Sequence, residues 1–309
     1  MRLLILGGSG MLGHQLWRGL HAQHDTWVTL RRPVADFAAH NLFDEAKAIQ
    51  ADDITDNESL GRALGQAKPE AVINCVGLIK QRDEASDEAL TLRVNAEFPH
   101  RLAKCSGEAG ARLIHFSTDC IFAGTKGNYT ESDPSDAADL YGQSKHQGEV
   151  TDTHSLTLRT SVIGHELGTN LALLDWFLSQ RGQAISGFTK AIYSGFTTLE
   201  MSRIVDRILT QYPDLSGVWH VASAPISKFD LLKLCQIKLG WEGVIEPDEE
   251  GASRRVIRIA NQPIVAVFPA SIEVTAAHRL GLAAKTMSKV ACIHPRHQAA
   301  SRSDMRETG

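Results

Sequence analysis

Short apolar runs alternate with longer amphipathic stretches through the first half of the chain. LLIL at 3–6, WVTL at 27–30, AVINCVG at 71–77 and RLIHFS at 112–117 read as buried parallel strands, because a strand covered on both faces carries a near-continuous apolar run. Between them lie helical candidates at 11–22, 57–67 and 87–108. In the last of these, Leu90, Val94, Phe98, Leu102 and Cys105 recur at steps of three and four, the spacing of one buried helical face. A Pro- and Asp-rich loop, ESDPSDAADL, precedes a helix predicted from Tyr141 through Val150, and a strand follows at 155–159. Strand–helix alternation of this kind predicts an α/β fold with a doubly wound parallel sheet. Ligands then bind at the carboxyl ends of the strands, where the connections change direction.

Beyond residue 165 the pattern changes. A helix is predicted near 170–180, then a loop rich in Gly and aromatics, then FTTLEMS leading into a helix at 199–211. WHVAS at 219–223 reads as a late strand and ISKFDLLKLCQIKLG as a helix, with Ser227 as its cap. No internal repeat or low-complexity tract is visible.

At 309 residues the chain exceeds one typical domain of about 100–200 residues and has room for two lobes. Hydrophobic residues make up 43%, charged residues 22%, and the formal net charge is −4. These proportions fit a soluble globular protein and carry no nucleic-acid signature. The start MRLLILGGSG has too short an apolar run for a signal peptide or a membrane span, so a cytoplasmic protein without membrane association is expected. Five cysteines form no CxxC pair, so reduced thiols are expected. The thirteen histidines show no HxH or HExxH arrangement, and no metal site is predicted. Charge is uneven along the chain. From Gly251 onward nine Lys/Arg face three Asp/Glu, a net of +6, whereas the first 250 residues carry 23 against 33, a net of −10. An unremarkable or partly disordered terminus competes with a basic tail as the reading of this asymmetry.

The candidate chemistry sits in a few segments. GGSGMLG places Gly7, Gly10 and Gly13 where a strand turns into a helix, so that backbone can approach a pyrophosphate at the positive end of the helix. A tight turn with packing duties only is the competing reading. About twenty residues on, where an NAD site would place an acid on the ribose hydroxyls, stand Arg31 and Arg32. Guanidinium groups suit a 2′-phosphate, so NADP(H) is favoured over NAD(H). Asp53, followed by Ile54, is placed to accept from an adenine amino group, and a solvated loop aspartate fits the spacing nearly as well. In YGQSK, Tyr141 and Lys145 lie one helical turn apart on one face. A nearby ammonium would lower the pKa of the tyrosine and make it a proton shuttle. Ser117-Thr118-Asp119, at the end of a predicted strand, supplies a hydroxyl to orient a carbonyl oxygen.

These segments, with VINCVG, VNAEFPHRL, STDCIFAGTKGNYTESD, LYGQSKHQGE and LRTSVIG, resemble the extended short-chain dehydrogenase/reductase family, in its dTDP-4-dehydrorhamnose reductase branch. The likeness is specific over residues 1–165 and weaker to about residue 247. It implies a Rossmann domain at 1–165 with a returning segment at 190–223, and a smaller substrate-binding lobe from 166–189 and 224–309. It further implies Thr118, Tyr141 and Lys145 as the catalytic group, with Thr118 and Asp119 touching the sugar. Gly10, Met11 and Leu12 would contact the cofactor phosphates, Asp53 and Ile54 the adenine, and Cys75, Val76 and Gly77 the ribose side, with Tyr141 and Lys145 on the nicotinamide ribose.

The activity implied is NADP(H)-dependent reduction of a 4-keto nucleotide sugar in deoxysugar and polysaccharide biosynthesis, by an enzyme that the resemblance allows to be a homodimer. A nucleotide-sugar epimerase or a non-catalytic NAD(P)-binding regulatory subunit are the competing readings. Where branch members carry a substrate-contacting Trp after an RTS segment, this chain has Val162, so the sugar is left open. Cys120 stands where the related dehydratases place a Glu, which disfavours dehydration. After Pro247 the family pattern is lost. An altered reading frame near residue 250 would account for both that loss and the charge reversal.

Overall fold

The computed structural model describes residues 1–250. The basic tail and the part of the expected substrate lobe at 251–309 lie outside the described residues. The strands β1 (Arg2–Leu6), β2 (Asp25–Leu30), β3 (Ala48–Gln50), β4 (Ala71–Asn74), β5 (Arg112–Thr118) and β6 (Ser155–Thr160) enter the central sheet. Short strands β7 (Val162–Ile163), β8 (Ala184–Phe188), β9 (Ile192–Tyr193) and β10 (Phe196–Thr197) follow, then β11 (Gly217–Val221), β12 (Ile226–Ser227) and β13 (Val244–Asp248). The helices are α1 (Met11–Leu20), α2 (Asn57–Ala67), α3 (Glu88–Leu92), α4 (Phe98–Glu108), α5 (Leu140–Gln147), α6 (Leu173–Ser179), α7 (Thr198–Gln211) and α8 (Lys228–Leu239).

Seven parallel strands form the sheet in the order β11-β6-β5-β4-β1-β2-β3. This is the doubly wound arrangement expected from the apolar runs. The order reverses between β1 and β4, which opens a crevice at their carboxyl ends. One face of the sheet buries Leu3, Ile5 and Ile73 against Leu16, Trp17 and Leu20 of α1 and Met201, Ile204 and Ile208 of α7. The other buries Leu4, Leu6 and Val72 against Leu60 and Leu64 of α2 and Phe98 and Leu102 of α4. Both faces are covered, so β1 and β4 read as near-continuous apolar runs.

The stretch predicted as helical over 87–108 is helical without a break from Glu88 to Glu108, and is corrected in one detail. It is α3, a π-turn at Arg93–Glu97 and then α4. Inside that turn Asn95 is buried. Its side chain accepts from Leu78 N at 2.9 Å and donates to Leu78 O at 3.0 Å and Ser144 Oγ at 3.3 Å. Such a bulge swings a polar side chain inward without breaking the helical path.

A second correction concerns 181–197. The loop expected there holds β8, which pairs in parallel with β13, and the short strands β9 and β10. Gly187 closes this pair onto α8, since a Cβ there would lie 2.9 Å from the Phe229 ring. Two small clusters unite the region: Ile163, Leu174, Tyr193 and Leu231, and Phe177, Ile185, Leu232, Trp241 and Ile245. Among the described residues no helix is long and apolar enough to cross a membrane.

Candidate active site

The turn after β1 is shaped by what glycine lacks. Gly7 has φ +77°, the left-handed region, and a Cβ on it would lie 3.2 Å from the backbone C and O of Cys75, which follows β4. The turn therefore sits in the crevice between β1 and β4. Gly13 permits the helix to touch the strand, because a Cβ there would fall 2.2 Å from the Gly7 carbonyl oxygen. Gly10 occupies the cap position of α1 in an extended conformation, with no side-chain cap and no acidic residue in the first turn. By contrast α2, α3, α5, α7 and α8 are each capped by an Asp, Thr or Ser side chain. The positive end of α1, with half-buried Met11 and buried Leu12 behind it, is thus left for an outside anion. These residues fit a dinucleotide pyrophosphate.

Arg31 and Arg32 stand exposed just past β2. The Arg32 guanidinium lies 3.7 Å from Asp36 and 5.0 Å from the centre of the Phe37 ring. Asp53 has local duties. One carboxylate oxygen accepts from Thr55 N at 2.9 Å and Thr55 Oγ1 at 2.6 Å, and the other lies 3.3 Å from Arg93. Partial desolvation pushes its carboxyl up, but the Thr55 hydrogen bonds and the charges of Arg93 and Arg31 outweigh this and hold it below the usual carboxylate range. Ile54 is buried beside it, while Cys75 and Val76 are half-buried and Gly77 exposed at the mouth of the crevice. The Cys75 thiol is pushed well above its ordinary value by burial.

At the next strand end, Thr118 Oγ1 accepts from Cys120 N at 3.1 Å and opens the turn that carries buried Asp119. Asp139 caps α5 by accepting from Gly142 N at 2.8 Å. A Cβ on Gly142 would sit 2.3 Å from the Cys120 carbonyl oxygen, so this glycine lets α5 close on the Thr118 turn. Tyr141 is thereby brought near Thr118. Lys80 Nζ stands 5.5 Å from the Tyr141 ring centre and 2.7 Å from Asp139. Lys145, buried one turn further on, donates to the Phe116 carbonyl oxygen at 2.7 Å.

The expectation that Lys145 lowers the pKa of Tyr141 is corrected. Burial, then Cys120, Asp119 and Asp139, push the phenol well above its usual value against the opposing influence of Thr118. The ammonium is turned toward Phe116. Burial pulls the Lys145 pKa down to about 8, with Glu149 and Cys75 opposing.

Val162 lies on β7, half-buried against the sheet core and paired with Phe196 of β10. Three participants were missed from sequence. Glu149 accepts from Ser117 Oγ at 2.7 Å and from Arg159 Nε and Nη2 at 2.8 Å each. Arg159 is the one charged residue in a fully buried strand, SLTLRT, and a charge in such a run must be paired, which was the available signal. Tyr193, on β9, is a buried phenol raised first by burial and then by Asp119. Among the described residues no three His, Cys, Asp or Glu side chains converge as a metal cluster.

A parallel sheet with its crevice at the β1/β4 reversal, and a Thr–Tyr–Lys group at the next strand end, define the extended short-chain dehydrogenase/reductase class. Within it the chain belongs to the RmlD substrate binding domain family, whose model matches residues 1–245. It is 32% identical over 175 residues to a dTDP-4-dehydrorhamnose reductase of Burkholderia thailandensis, covering 55% of this chain and 53% of that protein. It is 29% identical over 237 residues to a probable dTDP-4,6-dihydroxy-2-methyloxan-3-one 4-ketoreductase of Streptomyces antibioticus, covering 72% of each. The chain spans about half the length of the first curated relatives it matches. In fold it is similar to the dTDP-4-dehydrorhamnose reductase of Bacillus anthracis solved in complex with NADP, with TM-score 0.71, 22% identity and coverage of 90% of this chain and 97% of that one.

Proposed function

We propose that this chain is an NADPH-dependent reductase of a 4-keto nucleotide sugar, working in the cytoplasm on deoxysugar precursors. The observation that carries the reading is the closing of α5, with Tyr141 and Lys145 one turn apart, on the Thr118 turn, beside a glycine turn at the sheet crevice whose helix has no side-chain cap. Family membership and the names of the relatives support the substrate class. The pyrophosphate would be held by Gly7, Gly10, Met11, Leu12 and Gly13, the 2′-phosphate by Arg31 and Arg32, the adenine by Asp53 and Ile54, and the ribose side by Cys75, Val76, Gly77, Tyr141 and Lys145. When bound, NADPH supplies the hydride for the keto carbon.

The chain's own residues do the rest. Thr118 Oγ1, near the Tyr141 phenol, orients the carbonyl oxygen, with Asp119 beside it for the sugar. Tyr141 gives its phenolic proton to the oxygen as negative charge develops there. Its raised pKa keeps the phenol protonated at neutral pH, which is the state that reduction requires. Lys145, an ammonium held against the Phe116 carbonyl, would hold the nicotinamide ribose. The clusters around α6, α8, β8 and β13 with Val162 would form the sugar side of the cleft, and residues 1–165 with 190–223 the nucleotide-binding unit.

Oxidation of NADPH by the purified chain, measured against a panel of 4-keto nucleotide sugars, tests this. Turnover with at least one is expected. Cofactor binding without turnover on any would replace the reductase with a regulatory subunit, a reading that the intact Thr118–Tyr141–Lys145 group disfavours.

A further inference from the structure

Behind the proton-carrying group lies a buried charge cluster that no step above uses. Glu149 follows α5 four residues after Lys145, and its carboxylate is nearly closed off from solvent. Ser117 donates to one oxygen from β5, His146 reaches the other at 3.0 Å from α5, and Arg159 of β6 grips both. Ser117 and Arg159 are direct partners across the β5–β6 pairing, so the clamp is set by sheet register. Arg159 is fixed in turn by the Glu131 carbonyl oxygen at 3.2 Å, by His220 of β11 at 3.4 Å and by the Phe122 ring at 5.6 Å.

Lys145 meets a consistent set of groups. It donates to Phe116 O, the carbonyl just before Ser117. Ser117, the next residue of β5, holds Glu149, so the carboxylate and the ammonium are tied to adjacent positions of one strand. The charge of Glu149 favours the ammonium, the Cys75 side chain acts in the same sense, and the imidazole of His115 on β5 is held well below its ordinary pKa by burial and then by Lys145. Glu149 is the one carboxylate among these groups. Burial acts to raise its pKa, but Arg159, Ser117 and His146 together keep it a carboxylate below its ordinary range.

We propose that Glu149, clamped by Arg159 and Ser117, is a positioning residue that keeps the buried Lys145 in its ammonium form against the Phe116 carbonyl. An ammonium removed from water is disfavoured unless an opposite charge lies close, and the clamp supplies that charge at a fixed place. Touching neither substrate nor cofactor, Glu149 acts through Lys145. The inference rests on the reductase reading only for its catalytic consequence, since the charge state of Lys145 is measurable without turnover.

The test is Glu149→Gln, with the lysines labelled at Cε and the Lys145 resonance assigned by Lys145→Arg. In the protein without cofactor, the titration of Lys145 should move down by about one pH unit or more from the wild-type value near 8. The alkaline limb of kcat/KM should move down with it, more than KM changes at low pH, and Glu149→Asp should restore part of both. Should Glu149→Gln fail to fold, Glu149→Gln with Arg159→Met leaves no unpaired buried guanidinium and is expected to show the same shift. An unmoved Lys145 titration in a folded variant overturns the proposal. A shifted titration in a chain that turns over no 4-keto sugar upholds it and rejects the reductase reading instead.

Discussion

Two stations on one sheet edge are made from opposite materials. The glycine turn after β1 is built by omission: no Cβ at 7 or 13, no cap and no acid at the head of α1. At the end of β5 the site is built by addition, with Thr118, Tyr141, Lys145, Glu149 and Arg159 packed in layers of hydrogen bonds and charge. Anion binding needs only access to backbone dipoles, whereas moving a proton needs side chains with assigned charge states. The first station should therefore fail by steric intrusion and the second by loss of single atoms.

The largest expected effect lies at the second. Tyr141→Phe removes one oxygen and should cut kcat by about 10²–10⁴-fold while NADPH affinity, read by fluorescence titration, holds. Unchanged kcat would remove Tyr141 from the proton path.

At the first station, two glycines should separate fold from binding. Gly13→Ala pushes a Cβ to 2.2 Å from the Gly7 carbonyl oxygen, and overpacking of this kind should cost about 1–3 kcal/mol in denaturant unfolding. Gly10→Ala places its Cβ near only the Gly7 oxygen, at 3.3 Å, so stability should hardly move while NADPH affinity falls. Equal losses of stability in both variants would deny the distinction.

A smaller effect belongs to the arginines. Serine at both Arg31 and Arg32 should weaken NADPH by about tenfold and leave NADH unchanged, since only the former carries the 2′-phosphate that charge-assisted hydrogen bonds would reach. Equal weakening of both would assign these side chains to the surface.

The smallest effect is on stability against acid. The folded pKa of Glu149 lies below its ordinary value of 4.5. Its contribution to stability is therefore full above that value and is lost as pH falls through the folded one. Thermal unfolding across that range should show a steeper acid loss in the wild type than in the Glu149→Gln, Arg159→Met variant.

The two stations also differed in how far the sequence disclosed them. Omission leaves a plain trace, because three glycines between an apolar run and a helix have few other uses, and β1, β2, β4 and β5 were legible as short, mostly apolar runs. Addition leaves a trace only at its tips. Tyr141 and Lys145 could be read from helical spacing, but the direction of the lysine could not, because the Phe116 carbonyl that holds it comes from tertiary packing. Glu149 and Arg159 belong to separate segments that only sheet register brings together. In AISGF the strand signal was diluted by exposed Ser186 and by Gly187, whose lack of a side chain serves contact with Phe229 rather than strand propensity. The π-turn has no sequence mark, since Asn95 looks like any polar residue on a helix.

That turn has a mechanical consequence. Asn95 bonds at one end to the backbone of Leu78, on the loop that leaves the crevice, and at the other to Ser144, between Tyr141 and Lys145. Gly148, at the far end of α5, passes so close that a Cβ there would strike the Asn95 carbonyl oxygen at 1.9 Å. One amide thus acts as a rivet through two plates, so the crevice loop and the proton-bearing helix share a single tolerance. A slip of either by even part of an ångström is passed to the other.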